Sequence, residues 1–237
     1  MLRSQQQFYY MKQSDKENLV DILYEDNHIL VLIKDSNIST QPTEITPYSL
    51  QNLAKDFIKE KYNKKGDVFL HPIHRLDKKV CGIVLFAKTS KALKRLNEQM
   101  REKKIIRKYI AEVEGKFLKK QAELKDYIAH LSHRAKIVKK DQKGSKLAHL
   151  AYKVIKERKD SSILQIELFT GRYHQIRAQF SNISHPILGD TKYGSKKKID
   201  KIHLCSYFLD FLHPVTKKRM KFEIKPFFLK KSQISIY

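Results

Sequence analysis

The chain has 237 residues, with 49 Lys and Arg against 25 Asp and Glu, so a formal net charge of +24 sits on a sequence that is 41% hydrophobic. That length allows one large domain or two small ones with a buried core, and so large a cationic surplus on a foldable chain points to a polyanionic partner, either nucleic acid or an anionic membrane. Only two cysteines, Cys81 and Cys205, and no leader-like segment or long uncharged apolar run argue against a disulfide framework, secretion and membrane spanning.

Residues 1–18 are polar, Gln-rich and aperiodic, and read as a disordered or loosely attached tail; 230–237 read as a short C-terminal tail. Between them no repeat and no Pro/Gly linker divides the chain, so 19–229 is expected to be one domain. Ile22-Leu23-Tyr24, a turn at Glu25-Asp26-Asn27, and His28 to Ile33 predict a β-hairpin. Thr46 and Pro47 offer an N-cap and a first-turn proline to a helix with Leu50, Leu53, Ala54, Phe57 and Ile58 on one face. Gly82 to Ala87 is apolar and β-branched enough for a buried strand, after which Thr89 and Ser90 cap a helix with Leu93, Leu96 and Met100 inward. Lys108 to Glu114 alternates as a half-exposed strand, and further strands are expected near Leu124–Ala129, Ala148–Ile155, Ile163–Leu168, His203–Phe211 and Met220–Ile224. Lys136 to Lys146, the most basic internal stretch, reads as an exposed loop or hairpin arm suited to phosphates. Many strands and few helices predict an α+β fold with a curved mixed, mostly antiparallel sheet, flanking helices and a central cleft.

Polar residues concentrate in three places. His71-Pro72-Ile73-His74-Arg75-Leu76-Asp77 sets a carboxylate beside an arginine at the mouth of the apolar strand, which would hold Asp77 on a rigid scaffold. Arg107 to Gly115 places Tyr109 in a strand. Thr170 to Phe180 opens a short helix after a glycine turn, with Arg177 near its first turn and Ile176 and Phe180 inward; the segment continues from His185 through Gly189, Asp190 and Tyr193 to Gly194. Backbone amides and arginines at a helix start suit an anion.

In order and spacing these segments closely resemble the RluA family of RNA pseudouridine synthases, and the likeness extends from the Leu23–His28 hairpin to Phe211–Thr216, covering roughly residues 19–228. The resemblance implies an isomerase that detaches uracil from its ribose, turns it and rejoins it through carbon 5, on ribosomal or transfer RNA. It implies Asp77 as the catalytic residue, Tyr109 stacking on the base and able to take the carbon-5 proton, and Arg177 in an ion pair with Asp77. Arg75 would hold the flipped nucleotide, with His74, Arg172, His174 and Gln175 in the substrate-binding surround. A uracil inside a stacked helix is out of reach, so flipping is required, and a cation beside Asp77 would keep it ionised. No cofactor and no metal is implied; a monomer in the cytoplasm is expected. Because the hairpin begins so early in the sequence, the small N-terminal RNA-binding domain of many relatives is expected to be missing, which would leave affinity to the basic surface of the catalytic domain.

The chain departs from the family pattern in three places. Val80-Cys81 stands where Thr-Ser is commonest, Tyr173 where Thr is commonest, and Lys34-Asp35-Ser36-Asn37 where Lys-Pro-x-Gly is usual, which would loosen that turn. Blander roles compete: His71, His74 and Asp77 recur every third residue, but Pro72 and the strand context turn them to opposite faces, against a metal site. Cys81 fits a small core residue better than a nucleophile. His185, Pro186 and Gly189 read as loop-shaping residues. The main alternatives are a catalytically inactive RNA-binding module on the same fold and, more remotely, a DNA-binding protein.

Overall fold

The computed structural model describes residues 20–44 and 48–229. The chain separates into two compact units, one built from the chain up to Ile105 with Asp210–Phe222, the other from Ile106–Leu209 with the residues after Phe222. The chain crosses between them three times, and two of the crossings, at Leu209/Asp210 and Phe222/Glu223, fall inside strands, so no linker marks them. The expected tails and the Thr46-Pro47 helix start lie outside the described residues.

In the first unit, β1 (Asp21–Glu25) and β2 (Ile29–Lys34) form the antiparallel hairpin. Its turn is local chemistry: Asp26 Oδ1 accepts from the backbone N–H of His28 at 2.7 Å and of Ile29 at 2.8 Å. Both β2 and β3 (His71–Pro72) pair antiparallel with β4 (Cys81–Ala87). All 7 residues of β4 are buried, so its unbroken apolar run reflects cover on both faces. Each fully buried Ile, Val, Leu or Phe there contributes about 1.5–3 kcal/mol of transfer free energy.

Helix α1 (Leu50–Lys61) starts from Ser49, whose side chain accepts from Asn52 N–H. Leu50, Leu53, Ala54 and Ile58 are buried as the spacing predicts, while Phe57 is only half-buried. Helix α2 (Ser90–Arg101) is capped by Thr89, and it packs on β4. Its inward stripe differs from the expected one: Ala92, Leu96 and Gln99 are buried, and Leu93 and Met100 are half-buried. Gln99 turns inward because its amide donates to Leu212 O at 2.8 Å and accepts from Leu212 N–H at 3.0 Å, standing in for a strand neighbour.

The second unit holds β5 (Ile106–Glu114), β6 (Gln121–Leu131), β7 (Arg134–Val138), β8 (Lys146–Glu157), β9 (Ser161–Leu168) and the start of β10 (Leu204–Leu212), in the order β10-β5-β9-β8-β6-β7. The last strand, β11 (Arg219–Glu223), pairs with β10. Strand β5 is not half-exposed: Tyr109 through Val113 are all buried. Glu112 can be buried because its carboxylate accepts from Arg158 at 2.8 Å, Ser161 at 2.6 Å and His203 at 2.8 Å. Burial pushes its carboxyl up, but hydrogen bonds from His203 and Ser161 and the charge of Arg158 outweigh that and the net shift is down.

Of the basic stretch, Lys136 lies in β7 and Lys146 opens β8, leaving an exposed loop over 139–145. Helix α3 (Gln175–Asn182) packs on β6 and β7, and a 3₁₀ turn follows at Thr191–Tyr193. Ile128, Ala135, Ala148, Ala178 and Tyr193 make a small core of their own beneath it. The architecture is α+β, as expected, with every strand pairing described for β1/β2, β2/β4, β3/β4, β5/β9, β6/β7, β6/β8 and β8/β9 antiparallel. No described helix is long and apolar enough to cross a membrane.

Candidate active site

Asp77 sits in a turn pinned at the peptides on either side of it. Ile73 N–H donates to Leu85 O at 2.8 Å, continuing the β3/β4 pairing into the loop. Thr40 Oγ1 accepts from Leu76 N–H at 3.0 Å and donates to Leu76 O at 2.9 Å, which fixes the residue just before Asp77 from both sides. Val80 N–H closes the turn on Asp77 O at 2.9 Å. The residue after Asp77 is held as firmly: Lys78 O accepts from Asn37 N–H at 2.7 Å and from Lys34 Nζ at 3.2 Å.

Lys34 is fully buried, and its ammonium also donates to Asp35 O and Ile38 O, both at 2.8 Å. Burial pushes it down to about 8, against the opposing pull of Cys81, Asp77 and Asp35. The Lys34–Asn37 turn is therefore closed, contrary to the loosening its departure from the usual pattern suggests. Asn37 takes the left-handed position at φ 72°, a conformation asparagine tolerates, and Asp35 Oδ1 accepts from Ser36 N–H at 2.8 Å. Gly82, opposite Lys34 in the ladder, has φ 130°, which a side chain would strain.

Around Asp77, Arg75 is exposed and His74 is buried with Nε2 accepting from Leu85 N–H at 3.3 Å. His71 is exposed and its ring lies 4.5 Å from that of Phe69, so the two histidines do face apart. Cys81 is a buried free thiol in β4, as a small core residue should be.

The second unit gathers Arg172, His174, Gln175 and Arg177 at the start of α3. Gln175 organises the turn: its Oε1 accepts from Thr170 Oγ1 at 2.7 Å and Arg172 N–H at 3.0 Å, and its Nε2 donates to His149 O at 3.2 Å. Gly171 leaves room for the Arg107 guanidinium, since a Cβ would stand 3.2 Å from its Nη1 and push that side chain back by a few tenths of an ångström. Arg172 is exposed and donates from Nε to Leu147 O at 2.9 Å. His174 enters the helix at φ 50° with its ring buried and its Nδ1 2.8 Å from Tyr193 Oη. Burial, then the charges of Arg177 and Lys192, push its imidazole down to about 3, so it is neutral at physiological pH.

Arg177 is 4% exposed on the buried face of α3, beside Ile176 and Phe180 as expected. Its guanidinium forks onto Asp190, Nε to Oδ2 at 2.6 Å and Nη2 to Oδ1 at 2.8 Å, and its Cζ lies 4.9 Å from the Tyr193 ring centroid. Sequence reasoning assigned no role to Asp190 or Tyr193. The available signal was a carboxylate and a tyrosine inside the same polar segment as the arginine, 13 residues on in the case of Asp190. Thr40, Lys34 and Asn37 prop the Asp77 turn through Leu76 and Lys78, 36 residues on from Thr40 and 44 from Lys34, a separation that leaves no local signal in the sequence. The loop expected from His185, Pro186 and Gly189 is present, with His185 Nδ1 2.8 Å from Glu114 O and Gly189 at φ 84° where a Cβ would meet Ile199 at 2.5 Å.

Tyr109 is 5% exposed in β5, opposite Ile166 of β9. Each of the three motifs thus rests on a buried frame of strand or helix. Among the described residues no group of three or more His, Cys, Asp or Glu is placed to hold a metal ion.

A family model described as RNA pseudouridylate synthase matches residues 28–182, a span that contains Asp77, Tyr109 and Arg177. The chain is 34% identical over 212 residues to a Buchnera aphidicola protein named ribosomal large subunit pseudouridine synthase C, covering 84% of this chain and 64% of that one. It is 33% identical to the protein of the same name in Rickettsia prowazekii, covering 90% of this chain and 71% of that one. The chain therefore spans about two thirds of the length of these relatives. Among solved structures, human RNA pseudouridylate synthase domain containing 4 superposes with a TM-score of 0.73 over 87% of this chain and 88% of its own, at 21% identity, which speaks to the fold. By sequence, this chain belongs to the RNA pseudouridylate synthase family.

Proposed function

We propose that the chain is an RNA pseudouridine synthase acting on uridines of ribosomal or transfer RNA. In this reading the N1–C1′ bond of a flipped uridine breaks, the uracil turns, and a C5–C1′ bond forms as C5 loses its proton and N1 gains one. Asp77 is the catalytic carboxylate, Tyr109 stacks on the base and takes the C5 proton, and Arg177 supplies the cation that keeps Asp77 ionised. Arg75 and Arg172, both exposed, meet the RNA backbone. His74, His174 and Gln175 contribute from beneath, since their side chains brace the two segments from which the arginines project. The isomerisation balances within the nucleotide and solvent, so the proposal calls on no redox carrier. The observation that carries it is the family match spanning all three motifs, supported by a charge of +24 suited to a polyanion. A cytoplasmic monomer is the finer expectation, to be checked by fractionation and light scattering.

Pseudouridine mapping of total RNA from cells with and without the gene tests this reading. It predicts one or a few ribosomal or transfer RNA positions that revert to uridine on deletion; an unchanged map would refute it.

A further inference from the structure

The rim of the α3 start carries an aromatic feature that the proposed chemistry does not use. Tyr173 is 43% exposed. Its ring is stacked on buried His174 at 3.8 Å and 19°, and the ring of exposed His130, near the end of β6, lies 4.3 Å away at 47°. The Tyr173 hydroxyl donates to His133 O at 3.4 Å, in the two-residue turn that joins Leu131 of β6 to Arg134 of β7.

This ring cluster is rigidly backed. Tyr193 Oη accepts from Ala135 N–H at 2.8 Å and meets His174 Nδ1 at 2.8 Å, tying the start of β7 to the helix start. Below lies the small core of Ile128, Ala135, Ala178 and Tyr193. The residues next to the platform, Arg172 and Arg134, are exposed cations, and Leu131 adds apolar surface at 42% exposure. Partly exposed aromatic rings on a stiff base with cations alongside suit a partner that is planar, aromatic and anionic.

We propose that Tyr173 and His130 form a stacking platform for an unpaired nucleobase of the RNA, separate from the base that undergoes isomerisation. The inference rests on the RNA-acting reading above and adds a second base contact to it. A base held here would restrain the strand while another nucleotide leaves its stack, and stacking tolerates any base identity.

The test is binding, not turnover, with end-labelled oligouridylate and an abasic ribose-phosphate chain of equal length as probes. Tyr173→Ala should weaken oligouridylate binding roughly 5- to 100-fold, the loss of one base stack, and leave the abasic chain and the salt dependence unchanged. Tyr173→Phe should stay within about twofold of wild type, because the ring and not the hydroxyl makes the stack. The chain has no tryptophan, so Tyr173→Trp provides a sole indole whose emission oligouridylate should quench and the abasic chain should not. Equal weakening on both probes, no weakening on either, or an unquenched indole would overturn the platform. Failure of the enzymatic reading is separately visible: the wild-type protein would make no pseudouridine in transcripts while the Tyr173 variants still discriminated the two probes.

Discussion

Acid should loosen the second unit through His174, and His174→Asn should remove that share of the response. The folded-state pKa is pushed from 6.5 down to about 3 by burial and by the charges of Arg177 and Lys192. As pH falls, the unfolded chain therefore takes up the proton first. The stability tied to the neutral ring is whole above about pH 6.5 and is lost progressively toward about pH 3. At about pH 4.5 some two units of that gap have been crossed, and at about 1.4 kcal/mol per unit the loss is about 3 kcal/mol. Asparagine keeps a polar side chain at a position with φ 50° and does not titrate there. Urea unfolding at about pH 7 and about pH 4.5, followed by circular dichroism, gives the difference directly. Wild type should lose about 3 kcal/mol more than His174→Asn between the two conditions. Equal losses in both proteins would mean that His174 is not held neutral by its surroundings.

Two substitutions probe the frames around the motif residues. Asp190→Ala removes the forked carboxylate from the buried Arg177 guanidinium and should cost about 1–3 kcal/mol in urea unfolding, with Asp190→Glu recovering part of it; a cost below about 0.5 kcal/mol would show the fork to be incidental. Lys34→Met removes the ammonium that holds Asp35 O, Ile38 O and Lys78 O, and should cost about 2–3 kcal/mol and lower kcat more than it raises KM, because the turn carrying Asp77 loosens; unchanged kcat would deny Lys34 that role.

Features of this chain that are set by near neighbours were legible in its sequence. The Asp26 turn closes on residues two and three positions on, and Thr89 caps α2 at the same short range. The buried strand β4 was legible because seven consecutive apolar or small residues leave no polar face. What the sequence hid depends on partners far along the chain. Alternation made β5 look half-exposed, yet Glu112 is buried by Arg158 and His203, 46 and 91 residues later. Gln99 lies outside the expected inward stripe of Leu93, Leu96 and Met100, yet it is buried because Leu212, 113 residues on, supplies its peptide partners. Local preference offers Thr46 as the α1 cap, a position outside the described residues; among those described, Ser49 caps the helix and bridges Ser39 in parallel, a pairing no local pattern announces. The motif residues themselves could be picked out by resemblance, whereas the residues that hold them, Thr40, Lys34, Asp190 and Tyr193, emerged only from the packing.

The central claim is that Asp77 performs chemistry on a flipped uridine, and release of tritium from transcripts labelled at carbon 5 of uracil measures it most directly. Wild-type protein should release the label from a substrate RNA, and Asp77→Asn should release none while binding that RNA as tightly. Release that persists in Asp77→Asn would contradict the assignment of Asp77, and no release from the wild type on any ribosomal or transfer RNA transcript would favour an RNA-binding module that has lost its chemistry.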